Sequence, residues 1–170
     1  MYAAGILPFK KTKDNRVLLL VGRDKRSKWS DFGGKCEDVD NNCIMETAAR
    51  EFYEETAGVI CDKSTILKEL VNCKPLKGKS YTNKDYYMFV VDIDKISKYS
   101  YEAPTRFYHM HTFLSRSHQD EKYLEKNKIM WTDVRSLYES QSHLRQVFAN
   151  TINYKSNKKL IEQLNDCVGL

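Results

Sequence analysis

The chain has 170 residues, of which 41% are hydrophobic and 30% are charged, and its formal net charge is +5. This length and composition predict one folded domain, residues 1–170, with a sizeable core. The charge permits an anionic partner such as a nucleotide or RNA, although a solvated surface with a small lysine surplus is the simpler explanation.

The cysteine pattern argues against a disulfide framework and a zinc ribbon. Five cysteines are scattered without a CxxC pair: Cys36, Cys43, Cys61, Cys73 and Cys167. Reduced thiols in a cytosol-like compartment account for them. The N-terminus has no basic segment followed by an apolar one, and no apolar run reaches the roughly 20 residues that span a bilayer. We therefore expect a cytoplasmic protein with no membrane partner.

The first part of the sequence predicts two strands, a tight backbone passage and a helix. The strands are residues 2–9 and 16–21, and the second, RVLLLV, is apolar enough to be buried on both faces. Gly33 and Gly34 mark the tight passage. Residues 43–56 are predicted to be helical, because apolar residues recur there at helical spacing.

The remainder of the sequence predicts four more strands and two helices. The predicted strands are residues 66–73, 86–93, 105–114 and 129–134, and the predicted helices are residues 140–154 and 160–164. Residues 74–85, KPLKGKSYTNKD, are expected to form a basic loop. Because no internal repeat or linker interrupts this succession, it predicts a mixed α+β fold.

Three glutamates of the predicted helix, Glu51, Glu54 and Glu55, fall on one stripe, because residues three and four apart share a helix face. Two carboxylates about 6 Å apart repel by about 0.7 kcal/mol in water and by about 3 kcal/mol at an effective dielectric of 20. A solvated face tolerates this cost and is the commoner explanation of such a triplet. A stripe beside a cleft would require cations, and clustered carboxylates are ligands that Mg²⁺ and Mn²⁺ prefer.

The residues around this triplet resemble the signature of the Nudix hydrolase family, G-x5-E-x7-R-E-U-x-E-E-x-G-U, in which U is a bulky aliphatic residue. Gly34 stands at the first glycine and Asp40 at the early glutamate. Residues 50–55, REFYEE, match the R-E-U-x-E-E core. Gly58 and the valine after it match the closing G-U. The Trp29 segment before the glycine pair is also similar to the family.

The match departs from the signature at three places. Asp40 replaces a glutamate, and residues 41–49 put nine positions before Arg50 where the signature has seven. Ala57 is one extra residue before Gly58. These changes fall before the helix or at its end, where changes of length are tolerated, and they leave the spacing of the glutamates intact.

The resemblance implies a Nudix-type α/β/α sandwich with a mixed β-sheet. It also implies Mg²⁺- or Mn²⁺-dependent hydrolysis of a pyrophosphate bond in a nucleoside diphosphate-linked substrate, since metal ions neutralise the pyrophosphate and activate water. Glu54 and Glu55 would be the main metal ligands, with the backbone carbonyl of Gly34 nearby. Glu51 would hold a metal ion or its water, and Arg50 would orient these carboxylates.

Four further acids are candidates for accessory roles. Glu37 and Asp40 could join the metal site, although the inserted residues shift the reach of Asp40. Glu121 or Glu125 could supply the additional acid that often serves as a base in this family. For Glu37, Glu121 and Glu125, an ordinary surface carboxylate is the alternative.

Aromatic and basic residues mingle in residues 77–87 and 98–111. This pattern is compatible with nucleotide or RNA binding, but ordinary strand and surface residues explain it more simply. His109 and His111 would share one face of a strand, and without a third ligand they do not predict a metal site. Trp131 is expected in the core.

The candidate substrates are capped RNA, dinucleoside polyphosphates and other nucleotide derivatives. The basic surplus favours a large polyanion, which would make the activity mRNA decapping, and the substrate-binding residues are not predicted. The alternative is a non-catalytic Nudix-fold regulator that binds a nucleotide or RNA. An interaction module with an incidental acidic stripe is a third hypothesis.

Overall fold

The computed structural model of the chain describes residues 1–80, 82–117 and 120–166. Seven β-strands and six α-helices lie in these ranges. The strands are β1 (Ala3–Lys11), β2 (Val17–Asp24), β3 (Trp29–Ser30), β4 (Phe32–Lys35), β5 (Leu76–Lys79), β6 (Asp85–Asp92) and β7 (Lys126–Asp133). The helices are α1 (Ile44–Glu55), α2 (Lys63–Leu70), α3 (Ala103–Arg116), α4 (Val134–Glu139), α5 (Gln146–Asn153) and α6 (Lys155–Asp166).

The strands form one mixed sheet with the order β3-β2-β1-β6-β5, in which β4 also pairs with β1 and β7 also pairs with β2. β1 and β6 are parallel, and the other pairs are antiparallel. The sheet is mixed because β1 lies between a parallel and an antiparallel neighbour. This arrangement confirms the predicted mixed sheet.

Two hydrophobic clusters hold helices against the two faces of the sheet. On one face, α1, α2 and α3 contribute Phe52, Ile66 and Phe107. On the other face, α4, α5 and α6 pack through a second cluster that includes Phe148 and Ile161. Each such side chain contributes about 1.5–3 kcal/mol by leaving water. The result is the predicted α/β/α sandwich.

Most of the predicted elements are confirmed. The strands expected at residues 2–9, 16–21, 86–93 and 129–134 correspond to β1, β2, β6 and β7, and the helix expected at residues 43–56 corresponds to α1. The helices expected at residues 140–154 and 160–164 correspond in part to α5 and α6. Each confirmed element has a long apolar run or a clear helical repeat.

The strands predicted at residues 66–73 and 105–114 are wrong, because residues 66–70 lie in α2 and residues 105–114 lie in α3. In α2 the buried residues Ile66 and Leu70 are four positions apart, which is helical spacing. The N-cap of α2 is Asp62, whose side chain accepts a hydrogen bond from the Thr65 amide. In α3, residues two apart are turned by about 200° around the axis, so His109 and His111 do not share a face.

The short strands β3, β4 and β5 were not predicted. β5 lies inside the segment expected to be a loop, and it pairs with β6 in a hairpin. Trp131 is half-buried against the first cluster, as expected in part, and its indole N–H has no hydrogen-bond partner among the described residues. None of the described helices is long and apolar enough to cross a membrane.

Candidate active site on the α1 helix

The glycine pair lets α1 lie directly on the sheet. Gly33 and Gly34 of β4 pair with Gly5 and Ala4 of β1. A Cβ at Gly34 would overlap the carboxylate of Glu51, and a Cβ at Gly33 would overlap the backbone of β1. The tight passage predicted from the sequence is therefore a close approach of helix and strand, at the glutamate stripe.

The residues inserted before α1 form a compact turn. A short 3₁₀ helix, Asp38–Asp40, is followed by Asn41 and Asn42, whose φ angles are 50° and 55°. Asparagine tolerates this left-handed region better than most residues. The turn absorbs the extra length, so that Asp40 reaches Arg50 despite the longer spacing.

Arg50 is the centre of the acidic cluster. Its Nε and Nη2 donate to the two carboxylate oxygens of Asp40, at 2.9 and 3.0 Å. Its Nη1 donates to Glu51 at 3.0 Å and to Glu54 at 3.2 Å. Its Nη2 also donates to the carbonyl of Lys35 at 2.9 Å. One guanidinium thus holds two of the three predicted ligands beside the glycine strand.

Asp40 is fully buried, and its own neighbours occupy both of its oxygens. Besides Arg50, the Thr47 hydroxyl and the Glu37 amide each donate to it at 2.9 Å. Burial acts to raise the pKa of Asp40, but the hydrogen bonds from Arg50 and the other donors hold this pKa below its usual value. The Glu37 side chain is exposed, 3.5 Å from Arg50 Nη1.

Glu54 and Glu55 meet different lysines. The Oε1 atom of Glu54 lies 3.3 Å from the Nζ of Lys122, which belongs to the short 3₁₀ helix Glu121–Leu124. Glu55 is only 2% exposed, and its Oε2 accepts a hydrogen bond from the Gly33 amide at 2.7 Å. Its Oε1 lies 3.4 Å from the Nζ of Lys126. The structure therefore brings the three glutamates side by side but pairs each with a cationic side chain.

Two glutamates of the cluster resist ionisation. Burial, together with the charge of Glu55, raises the pKa of Glu51 to about 8. Burial raises the pKa of Glu55 to about 7, against the attraction of Lys126 and Arg145. A divalent cation beside these carboxylates would lower their pKa values and so favour the ionised form that binds metal. Within residues 1–80, 82–117 and 120–166, no three His, Cys, Asp or Glu side chains stand ready to hold a metal ion.

These pKa values predict that, without divalent ions, the folded protein loses stability as the pH rises from about 4.3 to about 8. The folded state keeps protons on Glu51 and Glu55 that an unfolded glutamate releases near its ordinary pKa of about 4.3. This stabilisation decreases steadily above that pH, and its loss is complete once the pH has passed the folded pKa values of about 7 and about 8. Thermal unfolding in the presence of a chelator, repeated across this pH range, measures the change in stability. The stability of Glu51→Gln should decline less steeply with pH than that of the wild type. An equal decline in the two proteins would contradict the raised pKa of Glu51.

A cleft of about 1180 Å³ opens beside the cluster. Its walls carry several cationic side chains, Lys25, Arg26, Lys28 and Arg145. The predicted accessory acids Glu121 and Glu125 also line it. Glu125 raises the pKa of Glu51 and Arg145 lowers that of Glu55, so both groups act across the boundary between cleft and cluster.

Several residues of this region were not found from the sequence. Lys126 and Arg145 gave no signal, because one is a lysine at the start of a strand and the other lies between a 3₁₀ turn and a helix. Asp31 is buried with the Tyr86 hydroxyl, which donates to it at 2.6 Å, and burial raises the pKa of Asp31 to about 6. Only the folded sheet brings these residues together.

The two segments rich in aromatic and basic residues lie in different parts of the structure. Residues 77–87 lie mainly in the β5–β6 hairpin, where Tyr81 is outside the described residues. In residues 98–111, the side chains of Tyr99, Tyr101 and Tyr108 are exposed on α3 and the turn before it. These side chains do not line the cleft.

No protein-family model matches the sequence, and no curated protein matches it either. Solved structures do match. The NUDIX domain of Shewanella oneidensis NrtR complexed with ADP ribose is 11% identical with a TM-score of 0.54, over 99% of this chain and 88% of that one. A Listeria monocytogenes protein assigned as a NUDIX hydrolase is 20% identical with a TM-score of 0.54, over 98% and 96%.

A longer NrtR chain from Shewanella oneidensis is 11% identical with a TM-score of 0.52. The alignment covers 96% of this chain and 64% of that one, so this chain spans less than two thirds of the longer relative. At these identities the likeness concerns the fold. The chain has the Nudix fold, which confirms the architecture expected from the resemblance.

Proposed function

We propose that the chain is a Mg²⁺- or Mn²⁺-dependent hydrolase of a pyrophosphate bond in a nucleoside diphosphate-linked substrate. The observation that carries the proposal is the row of glutamates on α1, of which Arg50 holds Glu51 and Glu54 beside Gly34. The Nudix fold supports it, because a similar domain was solved with ADP ribose. The proposed site residues are Arg50 and, of the three predicted ligands, Glu51 and Glu54, while Glu55 lies beside them and pairs with Lys126.

The side chains would divide the work as follows. Glu51 and Glu54 would hold the ion together with the Gly34 carbonyl, and Arg50 would keep both carboxylates in place. Binding of a divalent ion supplies charge neutralisation of the pyrophosphate and activation of the attacking water. Lys122, which is 43% exposed, can leave Glu54 when an ion binds. Glu37, Asp40 and Glu121 are the proposed accessory acids.

The cleft is the proposed substrate site. Its volume of about 1180 Å³ exceeds the roughly 300–1,000 Å³ typical of small-molecule pockets, and its cations suit a chain of phosphates. A large polyanion such as capped RNA or a dinucleoside polyphosphate therefore fits it better than a small nucleotide. In the first case the activity would be mRNA decapping.

A panel of substrates tests the proposal. The protein is incubated with Mg²⁺ or Mn²⁺ and with ADP-ribose, diadenosine polyphosphates, capped RNA and a diphosphoinositol phosphate. The products identify the bond that is cleaved. Hydrolysis of at least one substrate that stops in chelator is expected. No hydrolysis of any of them with either ion would contradict the proposal.

A non-catalytic regulator is the second candidate, and one observation favours it. Each glutamate already has an internal cationic partner: Arg50 for Glu51 and Glu54, Lys122 for Glu54, and Lys126 for Glu55. A protein of this kind would bind a nucleotide or RNA without turnover. Calorimetric binding of ADP-ribose or capped RNA by a protein that hydrolyses neither would identify it.

Replacement of Arg145 is expected to weaken substrate binding. Arg145→Ala removes a cation from the cleft wall, and a charge-assisted hydrogen bond of about 1.5–3 kcal/mol corresponds to a rise in KM of about 10- to 100-fold. Steady-state kinetics of the variant and the wild type measure this rise in KM. Arg135→Ala, which changes an exposed arginine paired with Glu139 on α4, is the control and should leave KM unchanged. An unchanged KM in Arg145→Ala would place the substrate elsewhere.

The domain organisation and location also remain proposals. We propose that residues 1–170 act as one domain in the cytoplasm. Cys36, Cys43, Cys61 and Cys73 are free thiols, which fits a reducing compartment, and Cys167 lies outside the described residues.

A further inference from the structure

Lys126 is a charged side chain enclosed by the protein. It is 0% exposed at the start of β7, where its strand pairs with Asp24 of β2. A fully buried lysine is rare, because its charge loses hydration, and it therefore needs strong partners. Its Nζ donates to the Ser30 hydroxyl at 2.7 Å and lies 3.4 Å from Glu55 Oε1.

The second oxygen of Glu55 is also engaged. Oε2 accepts the Gly33 amide at 2.7 Å, and the whole residue is nearly inaccessible. Both oxygens of Glu55 thus have partners that are themselves fixed in the sheet. This environment differs from that of Glu54, whose lysine partner, Lys122, is only half-buried.

Resting on the proposed function, we propose that the Lys126 ammonium group takes the cation position at Glu55, so that the cluster holds one divalent ion, on Glu51 and Glu54. An ammonium 3.4 Å from a carboxylate oxygen repels a second cation approaching the same oxygen. Lys122 does not block Glu54 in the same way, because its side chain can swing into solvent. Lys126 is enclosed and has no such route. Lys126 is therefore a positioning residue that sets how many ions bind.

Counting bound Mn²⁺ by electron paramagnetic resonance tests this inference on the full chain at pH 8. The wild type should bind one Mn²⁺ at the cluster. Glu55→Gln/Lys126→Met removes both charges at similar volume, and it should still bind one ion with a Kd within about threefold. Glu54→Gln should weaken Kd by about tenfold or more, as expected when a ligand is lost. An equal loss in the double variant would overturn the inference.

Lys126→Ala provides the converse test, and the chain offers a matched control. Lys10 is also 0% exposed, and its Nζ lies 2.7 Å from the Ser100 hydroxyl and 3.6 Å from Asp94. Lys126→Ala frees Glu55 and should bind a second Mn²⁺, whereas Lys10→Ala should keep one.

Two results would count against the inference in different ways. A single ion in folded Lys126→Ala, or two ions in the wild type, would overturn it while leaving the proposed function standing. A wild-type protein that binds no Mn²⁺ would contradict the proposed function, and this inference with it.

Discussion

Glu54→Gln is expected to lower kcat by about 10²- to 10³-fold or more while the fold remains intact. Glu54 receives a hydrogen bond from Arg50 at 3.2 Å and stands at the boundary between the cluster and the exposed Lys122. Glutamine keeps the shape of the side chain but loses the negative charge that an ion requires. Hydrolysis of the best substrate of the panel, measured at saturating Mg²⁺, gives the effect.

The control for this variant lies on the same helix. Glu46 lies in the first turn of α1 and pairs with Lys63 at 2.9 Å, outside the cluster, so Glu46→Gln should retain full activity. The melting temperature of both variants should match that of the wild type within a few degrees. If Glu54→Gln keeps activity comparable to that of Glu46→Gln, the assignment of Glu54 as a metal ligand is wrong.

Arg50→Met is expected to have the largest effect on stability. Removing one partner of a buried ion pair costs about 3–5 kcal/mol, because the remaining charge is left without compensation. Here the remaining charge is that of Asp40, which is fully buried and whose pKa Arg50 helps to hold below its usual value. Urea unfolding at pH 7 should show this decrease in the free energy of unfolding.

A double variant separates charge from packing. Arg50→Met/Asp40→Asn removes the buried carboxylate as well, so it should regain part of the lost stability. Arg16→Met breaks an exposed bridge to Asp14 and should leave the unfolding midpoint unchanged. A double variant no more stable than Arg50→Met would show that Asp40 and Arg50 do not depend on each other.

The part of the fold that the sequence predicts is the part with a strong local pattern. α1 combines a helical repeat with a glycine after its end, and β2 is an unbroken apolar run. α2 and α3 were mistaken for strands because branched and aromatic residues, which favour strands, occupy them. Tertiary packing of residues such as Ile66 and Phe107 decides these helices.

In the candidate site, too, the sequence predicts the local features and misses the contacts between distant segments. The spacing of Glu51, Glu54 and Glu55 is a local property, so the stripe could be predicted. The partners of these residues are not local. Lys126 reaches Glu55 only because β7 pairs with β2 and places its first residue under α1, a register that one sequence does not reveal. The inserted residues left the reach of Asp40 open in the sequence, and the asparagine turn shows how its side chain reaches Arg50.

The two walls of the cleft come from segments that are far apart along the chain, the turn after β2 and the beginning of α5. A polyphosphate bound in the cleft would contact both segments and hold them together. A substrate that binds here more tightly also stabilises the folded protein more, since a ligand of the native state alone stabilises that state. Substrate affinity in this cleft and the free energy of unfolding measured with substrate bound are therefore expected to rise and fall together.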